Sequence, residues 1–128
     1  MKALRPASVL AVDDNDVHLY VLTRILKKAG FAVEQASTGT GALASAERHP
    51  DLILLDVHLP DLNGFEVCRQ LRANPQTAHI PVVFISATWE SDGKDWAQYV
   101  GGQSFLMYPI QPENLTTVVN GVLAQAAA

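Results

Sequence analysis

Leu52, Ile53, Leu54 and Leu55 form an unbroken apolar run between two carboxylates, Asp51 and Asp56. A run this short, with no polar alternation, reads as a strand covered on both faces. Strands of that kind lie inside parallel sheets flanked by helices. Asp56 then stands at the strand's C-terminal end, the edge at which open α/β sheets build their sites. Pro60, Asp61, Asn63 and Gly64 follow, a cluster of turn-forming residues. The chain must therefore place a carboxylate at the rim of a sheet with a loop beyond it.

Other segments extend the same pattern. Ser8 to Asp13, SVLAVD, and Ile80 to Ser86, IPVVFIS, are further short apolar runs that end in polar side chains. Between the first run and the next strand, Val17, Val21 and Ile25 recur at spacing four, with Leu22, Leu26 and Ala29 as the adjacent row. That spacing predicts an amphipathic helix, capped by Asn15 or Asp16 and stopped at Gly30. Phe31 to Ala36 reads as a strand nearer the sheet edge because of Glu34 and Gln35. Gly41 to Arg48 reads as a short Ala-rich helix ended by Pro50. Phe65, Cys68 and Leu71 give the helix after Gly64 its apolar face, and Asn74 and Pro75 break it. Residues Trp89 to Val100 read as a further helix, and Ser104 to Met107 as the fifth strand. Pro112 opens a last helix whose face is Leu115, Val118, Val119, Val122 and Leu123. Strand and helix alternate five times. This predicts an α/β fold: one doubly wound (βα)5 domain with a parallel five-stranded sheet of order 2-1-3-4-5 and right-handed crossovers.

Composition narrows the class of function. The 128 residues suffice for one domain over the whole chain, with flexible ends expected at about 1–6 and 125–128. A net charge of −4 disfavours direct binding of nucleic acid, which requires a basic face. The single cysteine, Cys68, excludes an intrachain disulfide and a thiolate metal cluster, and reads as a small buried apolar group. No apolar run is long enough to span a membrane, and the N-terminus has no signal-peptide pattern, so a cytoplasmic setting is expected.

If the first, third and fourth strands are neighbours, Asp13 and Asp14, Asp56, and Ser86 converge on one rim. Single acids at strand ends commonly do no more than cap the next helix. Three together are different, because each ionised pair at about 5 Å repels by roughly 3 kcal/mol at an effective dielectric near 20. Either one acid takes a proton or a cation binds, and hard oxygen ligands select Mg²⁺ or Mn²⁺. An aspartate beside such an ion can attack a phosphoryl donor, and a hydroxyl such as Ser86 can bond the new phosphoryl oxygen.

Four segments carry a family resemblance: VDDND at Val12 to Asp16, LLDVHLPDLNGFE at Leu54 to Glu66, ISA at Ile85 to Ala87, and GGQSFLMYPIQPENL at Gly101 to Leu115. Together they resemble the receiver domains of response regulators in two-component signalling, over nearly the whole chain. The resemblance implies that Asp56 is the phosphoacceptor and Ser86 the switch hydroxyl. Phe105 would be the aromatic that moves inward on activation. Asp14 would contact Mg²⁺ directly and Asp13 mostly through water, with the backbone carbonyl of His58 as a further ligand. The phosphoryl group would come from a histidine kinase or a histidine phosphotransfer protein, and the output would be a downstream protein or an attached domain. Such a module is not an enzyme beyond its own phosphotransfer and dephosphorylation. One position departs from the family: Tyr108 stands before Pro109 where receivers usually carry lysine. A tyrosine supplies a hydroxyl and a dipole in place of a full positive charge. The X-Pro bond at this place is cis in typical receivers.

Two other readings compete. A receiver fold acting as a docking module without phosphorylation would follow from the missing lysine. A flavodoxin-like carrier would follow from Ser37 to Gly41, STGTG, which is similar to a flavodoxin phosphate loop but comes after the second strand and not the first. His18, His49 and His79 read as surface residues, His58 as an exposed loop side chain, Lys94 as too distant to replace the lysine, and Trp89 as a loop cover and optical probe near the site.

Overall fold

The computed structural model describes residues 5–87, 97–98 and 100–127. Five strands pair in parallel in the order β2-β1-β3-β4-β5: β1 Ser8–Val12, β2 Ala32–Ala36, β3 Leu52–Asp56, β4 Val82–Ser86 and β5 Ser104–Met107. The helices between and after them are α1 Asp16–Lys28, α2 Gly39–Ala46, α3 Gly64–Ala73 and α4 Pro112–Ala127. The expected topology is the one observed. The helix read over Trp89 to Val100, with Trp89 and Lys94, falls mostly outside the described residues; within it, residues 97 and 98 are helical.

Strand period and helix period meet in two apolar layers. Successive side chains of a strand point to opposite faces. Accordingly Ile53 and Leu55 join Leu10, Val12 and Phe84 beneath α2 and α3, where Ala42, Val67, Cys68 and Leu71 cover them. Leu52 and Leu54 join Val9, Val83 and Ile85 on the other face, beneath Leu22 and Leu26 of α1 and Leu115, Val119 and Val122 of α4. Every residue of β3 and β4 is buried, as the continuous apolar runs require, whereas edge strand β2 has no fully buried residue.

One face was misassigned from spacing. The buried seam of α1 is Leu19, Leu22 and Leu26. Val17 and Val21, expected to lie along the apolar row, are 70% and 43% exposed. Apolar residues cover more than half of this helix's circumference, so spacing alone admits two seams, and the packing of α4 against the sheet selects one. The ends of α1 are as expected. The Asn15 side chain accepts from the His18 N–H at 3.0 Å, and Gly30 turns the chain at φ +99°.

The STGTG segment forms the N-terminus of α2, not a phosphate cradle. Its open amides are filled from within, since Asp61 accepts from the Gly39 and Thr40 N–H groups at 2.7 and 2.9 Å. Those bonds hold the Asp61 carboxyl well below its ordinary pKa. Asp61 thus ties the loop after β3 to the start of α2, which fixes the wall of the rim. Arg72 of α3 performs a similar service at the other end. Its guanidinium donates to the carbonyls of Ile80 at 2.8 Å and Gly101 at 2.8 Å.

Candidate functional site

Strand order puts the acids together. β1 and β3 are adjacent with Val12 opposite Leu55, so Asp13 and Asp56 follow side by side at the C-terminal rim. Ligand oxygens of Asp13, Asp14 and Asp56 all lie within 4.8 Å of one another. Asp13 and Asp56 are buried, at 1% and 7% exposure, while Asp14 faces solvent. Burial, and next the neighbouring charge of Asp13, push the Asp56 carboxyl up to about 7, against a lowering bond from the His58 N–H. That bond is 3.1 Å long and brings the His58 peptide to the edge of the cluster, while the His58 side chain is exposed. Three carboxylates in this space, one held near neutrality, form a hard-oxygen set whose charge and spacing fit a divalent ion such as Mg²⁺ or Mn²⁺.

The loop beyond Asp56 approaches its backbone closely. The Gly64 N–H donates to the Val57 carbonyl at 2.8 Å, and a Cβ at Gly64 would lie 2.3 Å from the Asp56 carbonyl oxygen. Only glycine permits α3 to start so near the strand end. Ser86 ends β4, buried at 1% exposure, one residue past Ile85, which pairs with Asp56. Its carbonyl accepts from the Tyr108 N–H at 2.9 Å, so the strand-four hydroxyl and Tyr108 share one peptide register. Phe105 of β5 is half-buried against the layer beneath α2 and α3. The Tyr108–Pro109 bond is cis.

Tyr108 does more than leave the lysine position without charge. Its hydroxyl donates to Asp13 Oδ2 at 2.9 Å. Burial and the Asp13 charge push that hydroxyl's pKa above its ordinary value, so it stays a protonated donor. Asp13 Oδ1 accepts from the Asn15 N–H at 2.9 Å, so both oxygens of Asp13 are held by the chain itself. A further residue belongs here that sequence reading placed on the surface. The His18 ring stacks on Tyr108, centroids 3.9 Å apart and planes 17° apart, with Nδ1 3.3 Å from Asp13 Oδ2. The available signal was position: His18 lies in the first turn of a helix that begins three residues after Asp13. A first turn has several outward directions, and only the placement of β5 shows which one meets Tyr108. His49 and His79 are exposed as expected, and stack on each other with centroids 6.3 Å apart.

A doubly wound sheet with an acidic cluster at its C-terminal rim and a buried hydroxyl on the adjoining strand defines a CheY-like receiver. The family model for the response regulator receiver domain matches residues 9–120, and the chain belongs to that family. It is 36% identical over 119 residues to protein PilH of Pseudomonas aeruginosa, covering 92% of this chain and 98% of PilH. Among solved structures, the chemotaxis protein CheY4 of Vibrio cholerae superposes with a TM-score of 0.85 at 32% identity, over 91% of this chain and 98% of that one. The receiver domain of the sensor histidine kinase PA1611 of Pseudomonas aeruginosa superposes with a TM-score of 0.86 at 27% identity, over 93% of this chain and 98% of its own. It carries a magnesium ion coordinated in its active site cleft. The protein is thus a receiver module of two-component signalling. Among the described residues, no helix is long and apolar enough to cross a membrane.

Proposed function

We propose that this receiver accepts a phosphoryl group on Asp56 from a histidine kinase or a histidine phosphotransfer protein. It then signals, from a cytoplasmic setting, to a downstream protein or an attached output domain. The observation that carries this reading is the position of Asp56, a buried strand-end carboxyl held near neutrality within 4.8 Å of two other acids. Asp14 would hold a divalent ion directly, Asp13 mostly through water, and the His58 carbonyl would complete the protein's share. A bound Mg²⁺ supplies the positive charge that lets the carboxylates ionise together and neutralises the incoming phosphoryl oxygens.

The remaining chemistry belongs to the chain. The ionised Asp56 oxygen attacks phosphorus. An O–P bond forms as the P–N bond to the donor imidazole breaks, and the electron pair leaves with that nitrogen. Ser86 donates a hydrogen bond to a phosphoryl oxygen, and Phe105 moves inward as the strand ends readjust. Hydrolysis returns Asp56 and inorganic phosphate. Incubation with phosphoramidate and Mg²⁺ is expected to give one hydroxylamine-labile phosphoryl adduct by mass spectrometry, absent in Asp56→Asn. A protein that binds Mg²⁺ yet forms no adduct would refute this reading.

A further inference from the structure

We propose that His18 is a positioning residue whose ring clamps Tyr108, and that the clamped hydroxyl competes with a divalent cation for Asp13. The inference rests on the reading that such a cation binds the acid cluster, and concerns how this chain regulates that site. Three observations support it. The Tyr108 hydroxyl donates to Asp13 Oδ2 at 2.9 Å. The His18 ring covers the tyrosine ring at 3.9 Å with nearly parallel planes, which limits rotation of the phenol away from the acid. Both oxygens of Asp13 are already engaged, Oδ1 by the Asn15 N–H and Oδ2 by the phenol.

A carboxylate in that state is preorganised and partly neutralised before any ion arrives. The hydrogen bond softens the repulsion of Asp13 on Asp56. The same bond must be weakened or shared when Asp13 turns its charge toward a cation or the water bound to it. The pair His18 and Tyr108 therefore stabilises the empty site and, through the same contact, lowers cation affinity. A lysine at position 108 would lack the flat face on which the histidine ring rests.

The test compares the full chain with Tyr108→Phe, His18→Ala and His18→Phe. Calorimetric titration with Mg²⁺ is expected to show tighter binding in Tyr108→Phe, on the order of fivefold, one net hydrogen bond's worth. The cation-free melting temperature of that variant is expected to fall. His18→Ala should shift affinity in the same direction by less. His18→Phe keeps a ring over Tyr108 but loses the nitrogen that lies 3.3 Å from Asp13 Oδ2, so the property expected to match the parent is the stacking on Tyr108. The ring protons of Tyr108, observed by NMR without any cation, should be shifted upfield in the parent and in His18→Phe but not in His18→Ala. Unchanged or weaker Mg²⁺ binding in Tyr108→Phe overturns the competition. Identical Tyr108 ring shifts in the parent and His18→Ala, or ring shifts in His18→Phe that match those of His18→Ala, overturn the clamp. A parent protein indifferent to Mg²⁺ overturns the cation reading and the competition with it, while the ring shifts still decide the clamp.

Discussion

Tyr108 shows how a single substitution changes the electrostatics of a receiver site. A lysine there would bring a full charge to within a few ångströms of Asp13 and Asp56. The phenol donates its hydrogen bond to Asp13 and leaves the Asp56 carboxyl pushed up to about 7. Tyr108→Lys is therefore expected to lower the Asp56 titration midpoint by about 1 unit or more, since an opposite charge nearby favours the carboxylate. Titration of the Asp56 carboxyl carbon by NMR measures this, and an unmoved or raised midpoint would contradict the account. The acids at this site were legible from the sequence because each ends an apolar run. The partnership of Tyr108 with His18 was not, because the two are 90 residues apart and join only when β5 is added to the sheet.

Helix starts, more than helix faces, set the wall of the site. α3 begins at a glycine pressed against the Asp56 carbonyl, and α2 begins on the carboxylate of Asp61. In Gly64→Ala the added methyl group meets backbone that cannot yield without moving Asp56. The substitution is expected to cost about 2 kcal/mol or more by urea denaturation and to weaken Mg²⁺ binding as well. Gly121, in the exposed part of α4, has no heavy atom within 4 Å of where a Cβ would lie. Gly121→Ala is expected to stabilise by about 0.5–1 kcal/mol in the same assay and to leave Mg²⁺ binding unchanged. The cap at Asn15 and the stop at Gly30 followed from residue type, whereas Asn63, read as a turn residue, caps α3. The seam of α1 did not, because Val17 and Val21 are as apolar as the leucines that were buried in their place.

At the scale of the whole molecule, the acid cluster makes stability depend on pH and on metal together. The folded Asp56 carboxyl titrates near 7, above the roughly 3.9 of an unfolded aspartate. Between those values the native state binds the proton that the unfolded state has released. The contribution to stability is thus complete below about pH 4 and lost as pH rises through 7. In chelator, the melting temperature is expected to be lower at pH 8 than at pH 5.5. The difference should shrink in Asp56→Asn, which has nothing to titrate at that position. Mg²⁺ should raise the melting temperature more at pH 8 than at pH 5.5, by about 5 °C or more at saturating concentration, since it favours the ionised cluster. Scanning calorimetry at the two pH values, with and without Mg²⁺, measures this. The reverse order in chelator, with no narrowing in Asp56→Asn, would contradict the charge crowding inferred for the rim.

Local chemistry in the chain determined the five strands, the residues that end them and the turns that follow them. Each of these follows from short-range rules: apolar runs bury, and glycine and asparagine turn. Tertiary structure alone decided which face of α1 is covered, that Asp61 fills the amides of α2, and that a histidine near the start of the chain lies flat on a tyrosine near its end. Those outcomes depend on angles and distances between elements. Such quantities are set by the packing of the whole sheet and have no signature in the spacing of residues along any one segment.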